Sequence, residues 1–205
     1  MDRTIGKSAF ILTAIMFVEA VPLGMTLHAS APDVAGRLWG WHPGIWPAWL
    51  GAAAVTIAYV FYARRALPLI GERFFDLGGL KLLALPFAFV TGTFEELFFR
   101  KMVMDSASHH GAGALVQIAV SAAIFGAAHG IWGLFGRQWR VAVGAVVATG
   151  VLGALLAGIY LLAGRQLAPC VWAHMLINLA IEPWLVVAAV SAGRGGWRAS
   201  RTTEP

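Results

Sequence analysis

Residues Leu82–Val103 read LLALPFAFVTGTFEELFFRKMV, an apolar run broken near its end by two adjacent glutamates and by an arginine four residues after the second. The run has the length a helix needs to cross a bilayer, roughly 17–25 residues. Five other runs share its character: Ala9–Leu27, Ile45–Tyr62, Ala112–Leu134, Val141–Ala163 and Leu167–Val190. None shows the alternation of a barrel strand. In lipid every backbone donor must find its acceptor within the structure, which Leu-, Val- and Ala-rich helices achieve. The sequence therefore predicts an all-α, polytopic transmembrane helical bundle of about six spans.

Composition leads the same way. Of 205 residues, 59% are hydrophobic and 12% charged, whereas a soluble domain carries about a quarter charged residues. The net charge of +5 is spread singly and in pairs between the apolar runs. That is a topology signal rather than a nucleic-acid footprint, so membrane lipid is the expected partner and nucleic acid is not. Basic residues gather on the side of the N-terminus (Arg3, Lys7, Arg64, Arg65, Arg73, Lys81, Arg137, Arg140, Arg194, Arg198 and Arg201) against Arg37, Lys101 and Arg165, which predicts cytoplasmic termini. The one cysteine, Cys170, excludes a disulfide framework. Ala9–Leu27 is too long for a signal-peptide core and contains Glu19, so it reads as a retained first span. Residues 1–190 are expected to form one integral membrane domain with its chemistry in about 82–183, followed by a disordered polar tail, 191–205. Val141–Ala163, dense in Gly and Ala, is expected to be a packing helix.

Polar groups are costly inside a span, so their placement is informative. Glu96 and Arg100 stand four apart, acid first, and pair on one helix face. Glu95 points about 100° away and is the carboxylate left free for chemistry. Phe125 and His129 are four apart on a second run, with Gly126, Ala127 and Ala128 leaving room for a neighbour. His174 and Asn178 are four apart on a third and can donate to one point, as an oxyanion requires. Each pattern alone has an ordinary structural reading, an interfacial ion pair or an interhelical hydrogen bond. Three on three helices, in a chain poor in such groups, indicate a site.

Glu95-Glu96-Leu97-Phe98-Phe99-Arg100, Phe125 to His129 and His174 to Asn178, in this order, resemble the motifs of the CAAX-processing and bacteriocin-processing (CPBP, or Abi) membrane proteases, a family related to the Ras-converting CAAX endopeptidase. The resemblance covers roughly Leu82 to Pro183. It implies an intramembrane endopeptidase of the bacterial inner membrane that acts on a membrane-anchored or lipidated protein or peptide. Carried over, Glu95 and His129 would activate water, and His174 and Asn178 would hold the oxyanion. Glu96, Arg100 and Phe125 would support them. The implied mechanism has no cofactor; zinc held by Glu95, His129 and His174 is the minority alternative. A non-catalytic bacteriocin-immunity or partner-binding protein of the same fold is the second reading. A proton or ion transporter is the third, disfavoured because no inverted repeat is visible.

Other polar residues are set aside. Glu19, near Pro22 and Gly24, could line a substrate entry but is assigned to a kink or interhelical contact, and Glu182 at most to a supporting role. His109 and His110 are placed in a solvated loop. Ser121 belongs to no serine-hydrolase motif, and Cys170 reads as a packing thiol. Six equal spans would put Glu95 and His174 at one depth and His129 at another. They meet only if span boundaries shift or the third helix continues past Val103.

Overall fold

The computed structural model describes residues 3–29, 36, 38, 43–131 and 139–192, which contain helices and no strand. Helix α1 spans Arg3–Ala29, and a 3₁₀ turn at Pro43–Ile45 leads into α2, Trp46–Ala66. A short interfacial helix, α3 (Pro68–Arg73), starts on a proline, the residue best suited to a first helical turn. Next comes α4, Gly79–Glu96, which continues without a break through a π-helical stretch, Leu97–Met104, into α5, Asp105–His109. Then follow α6 (Ala114–His129), α7 (Trp139–Leu162) and α8 (Ala168–Ala192). Among the described residues five segments are long and apolar enough to cross a membrane: Arg3–Ala29, Trp46–Ala66, Gly79–His109, Ala142–Leu162 and Ala168–Ser191. Phe10, Phe17, Ile57, Leu82, Val147 and Val151 lie more than half exposed on their outer faces, as suits side chains solvated by lipid. The chain is an integral membrane helical bundle.

The predicted boundaries shift in three places. The stretch between the expected spans Leu82–Val103 and Ala112–Leu134 is helical as far as His109, held by a Lys101–Asp105 ion pair of 3.1 Å one turn apart. His109 is thus helical rather than in a loop. The expected span Ala112–Leu134 is a 16-residue helix ending at His129, about 24 Å long against a core of about 30 Å; its positions 132–134 lie outside the described residues. Ser191 and Ala192 close α8, and the remainder of the expected tail, 193–205, is also outside them, as are most of the connection between α1 and α2 and residues 135–138 between α6 and α7.

These shifts remove the mismatch in depth. From Glu95 the continuous helix climbs about 21 Å to His109, and α6 descends about 22 Å from Ala114, so His129 returns to the level of Glu95. A polar clasp fixes this far end. Asp105 accepts hydrogen bonds from Lys101 (3.1 Å) and Tyr160 (3.0 Å) and pairs with Arg165, which also donates to Gln117 at 2.8 Å. Arg165 is held at φ +67° in the turn between α7 and α8, a left-handed conformation that non-glycine residues seldom adopt. The two bonds of its side chain compensate.

Small residues set the helix spacing. A Cβ on Gly126 of α6 would sit 2.7 Å from the Val146 carbonyl oxygen and 3.1 Å from Gly150 Cα of α7, so α7 is the packing helix expected. A Cβ on Gly92 would sit 2.9 Å from Met175 Cγ and 3.2 Å from its backbone nitrogen, which brings α4 against α8 beside His174. Gly126→Ala should destabilise the bundle by about 1–3 kcal/mol, since the opposing atoms are backbone and only a helix shift relieves the overlap. A lowered unfolding temperature in detergent checks this. Gly158→Ala, where a Cβ meets nothing within 4 Å, is the neutral control.

Candidate active site

The site begins with a charge that cannot be left alone. Glu96, at the end of α4, and Arg100, one turn on in the π-helical stretch, are both fully buried, with Arg100 Nε 2.9 Å from Glu96 Oε2. The second oxygen, Oε1, accepts a hydrogen bond of 2.8 Å from Nδ1 of His174 on α8. Arg100 also donates to Ser121 Oγ at 3.3 Å, and Ser121 donates onward to the Phe99 carbonyl at 3.0 Å, tying α6 to the π-helical stretch. The Arg100 guanidinium lies 4.8 Å from the centre of the Phe125 ring, a cation–π contact that is strongest away from water.

Glu95 takes the other direction, as the 100° step predicts. His129 donates its Nδ1–H to the Phe125 carbonyl at 2.9 Å, the backbone oxygen being only an acceptor. His174 has committed its own Nδ1–H to Glu96. Each imidazole therefore presents Nε2, and both face the same atom: Glu95 Oε2 is 3.8 Å from His129 Nε2 and 3.6 Å from His174 Nε2. Neither distance is a formed hydrogen bond. Phe125 spaces the two rings, its centroid 4.5 Å from that of His129 and 5.6 Å from that of His174. The three helices thus bring together Glu95, His129 and His174, with Glu96, Arg100 and Phe125 behind them. Asn178, one turn beyond His174, donates to Thr91 Oγ1 at 3.1 Å, and Thr91 donates to the Phe87 carbonyl. The second Asn178 N–H is left over.

A cavity of about 480 Å³ opens in front of this constellation. Glu95, His129 and Asn178 reach its surface, while His174 stands behind Glu95. Most of the wall is apolar, from Phe87, Phe94, Phe98 and Phe99 of the third span and Ala14, Ile15 and Val18 of α1. Among the described residues no group of three His, Cys, Asp or Glu side chains is arranged to hold a metal ion.

Sequence reasoning had paired Glu96 with Arg100 but missed the bond from His174 to Glu96. It also passed over Thr91, although Thr91 lies one turn before Glu95, a signal present in the opening stretch. Ser121, set aside as a nucleophile, is a tether for Arg100. Glu19 and Glu182, set aside as well, both reach the cavity wall.

Arg100→Met should cost about 3–5 kcal/mol, because it strands the Glu96 carboxylate in the interior. Adding Glu96→Gln to that variant should recover part of the loss. Thermal unfolding of the wild type, both single variants and the double variant checks the coupling.

No curated protein and no solved structure matches the chain. A family model, type II CAAX prenyl endopeptidase Rce1-like, matches residues 78–180, half of the chain. The match runs from the start of α4 into α8 and includes every residue of the Glu95, Glu96, Arg100, Phe125, His129, His174 and Asn178 constellation. With this constellation assembled inside a membrane bundle, the chain belongs to the Rce1-like family of CAAX-type membrane proteases.

Proposed function

We propose that this protein is an intramembrane endopeptidase that hydrolyses a peptide bond with a water activated by Glu95 and His129. One observation carries the reading: two imidazoles, each with Nδ1 already committed, turn Nε2 toward one carboxylate oxygen at the wall of an apolar cavity. A water seated between Glu95 Oε2 and His129 Nε2 gives its proton to the carboxylate as its oxygen attacks the scissile carbonyl. The tetrahedral oxyanion takes a hydrogen bond from the second Asn178 N–H. It takes another from His174 Nε2 when that ring is doubly protonated, since its Nδ1–H is held by Glu96. Collapse of the intermediate breaks the C–N bond, and the proton on Glu95 passes to the leaving amine. Water is thereby divided between the new carboxyl and the new amine.

Glu96, Arg100 and Phe125 position the acting groups without touching substrate. The substrate class follows from the setting. A cavity lined by phenylalanines and by α1 suits a peptide held at the membrane by an anchor or a lipid group. In this reading no metal takes part, both termini are cytoplasmic, and the membrane is the bacterial inner membrane.

A panel of tagged, membrane-anchored peptides incubated with the purified protein tests the proposal. Glu95→Ala should abolish cleavage, a loss of about 10²–10⁴ for a general base. Asn178→Ala should lose about 10²–10³, the worth of one oxyanion donor. A strong chelator should change nothing. Cleavage that persists in Glu95→Ala overturns the assignment of the base, and loss on chelation overturns the metal-free mechanism.

A further inference from the structure

The constellation just described leaves two acids unused, one buried and one half-buried. Glu182 of α8 is 8% exposed, Glu19 lies on α1, and both line the cavity that Glu95 faces. Neither has a hydrogen bond or ion pair among the described residues, and Glu19 Oε2 is buried without a partner. Both also fall outside residues 78–180, the stretch that the family model matches. A carboxylate buried in a membrane bundle normally pairs with a cation, as Glu96 does with Arg100. Three carboxylates around one apolar cavity repel one another. Among the described residues this wall carries no lysine or arginine, and a positive charge supplied from the cavity itself would relieve the repulsion.

We propose that Glu19 and Glu182 form a cation-recognition subsite that seats the ammonium or guanidinium of a lysine or arginine in the peptide substrate. This rests on the endopeptidase reading and specifies its substrate class. The register is set by α8, on which His174, Asn178 and Glu182 follow one another at intervals of four residues along one face. Glu182 is about 6 Å along the axis from Asn178, the span of about two residues of extended peptide, so the basic residue sits within about one to three positions of the bond facing Glu95. Glu19 approaches from α1 on the other side of the cavity. The stem of the lysine or arginine lies along Ile15, Val18 and Phe94 while its charged end reaches the carboxylates, a division of roles natural to both side chains.

Binding tests the subsite without relying on turnover. The full-length protein carrying Glu95→Gln, in lipid nanodiscs, is titrated with fluorescent acyl-anchored peptides. These differ only by lysine or norleucine at each of the three positions on either side of the target bond. At one position lysine should bind about tenfold or more tighter than norleucine, and this ratio should fall to about one when Glu182→Gln or Glu19→Gln is added. Glu182→Asp, which keeps the charge, should restore part of the preference, an effect that a merely structural role for Glu182 does not produce. A ratio near one at every position in the parent protein, or a preference that survives both substitutions, overturns the proposal. Because the ratio is read from binding, a failure of peptide hydrolysis leaves it measurable, and the two readings stand or fall separately.

Discussion

The structure depends on the neutralisation of Glu96 inside the membrane. A lone charge at the centre of a span costs about 2.5–3.5 kcal/mol on insertion scales and more by other estimates. Glu96 and Arg100 have no exposure at all. Arg100 supplies the countercharge from the same helix, but one arginine does not satisfy both carboxylate oxygens. The second needs a donor, and the His174 Nδ1–H on α8 provides it. Once that bond forms, the rotation of α8 against α4 is set and His174 Nε2 faces Glu95. The contact of Arg100 with Ser121 and Phe125 sets α6 in the same way. The placement of Glu95 between two imidazoles thus follows from satisfying its neighbour.

Two other constraints make this arrangement reachable. Gly92 and Gly126 let α4 approach α8 and α6 approach α7 at distances that a methyl group would forbid. The clasp around Asp105 ties the far ends of the third span, α6, α7 and the turn before α8. Close approach in the middle and polar bonding at one end hold three side chains on three helices around one oxygen. In the proposed mechanism the positioning groups therefore matter as much as the acting ones, since a shift of about 1 Å is enough to spoil a reacting geometry.

Much of this was legible because helical periodicity is a local property. The spacing of Glu96 and Arg100, the divergence of Glu95, and the shared faces of Phe125 with His129 and of His174 with Asn178 follow from 3.6 residues per turn, and the packing role of α7 follows from its density of glycine and alanine. What was not legible depends on contacts between helices. That Glu96 accepts from His174 is decided by how α8 is rotated, which no spacing within α8 reveals. The π-helical stretch Leu97–Met104 has no sequence signature of its own, and the polar residues that follow Val103 read as the end of the span. The Lys101–Asp105 pair, acceptable on any helix face, was the available counter-signal. Glu19 was misjudged for a related reason: its company in the cavity comes from helices distant in the chain.

The cavity has two walls of different origin. One carries Glu95, which faces the two imidazoles, together with His129 and Asn178, which are hydrogen-bonded to the Phe125 carbonyl and to Thr91. The other is α1, which contributes Ala14, Ile15, Val18 and Glu19; among the described residues none of these four hydrogen-bonds to that network. A change on the apolar face of α1 therefore reshapes what the cavity admits while leaving the hydrogen bonds that position the proposed catalytic groups in place. Selectivity and reactivity are in this sense separable in the molecule, and the first helix is where a different diet of peptides could be written at the least structural risk.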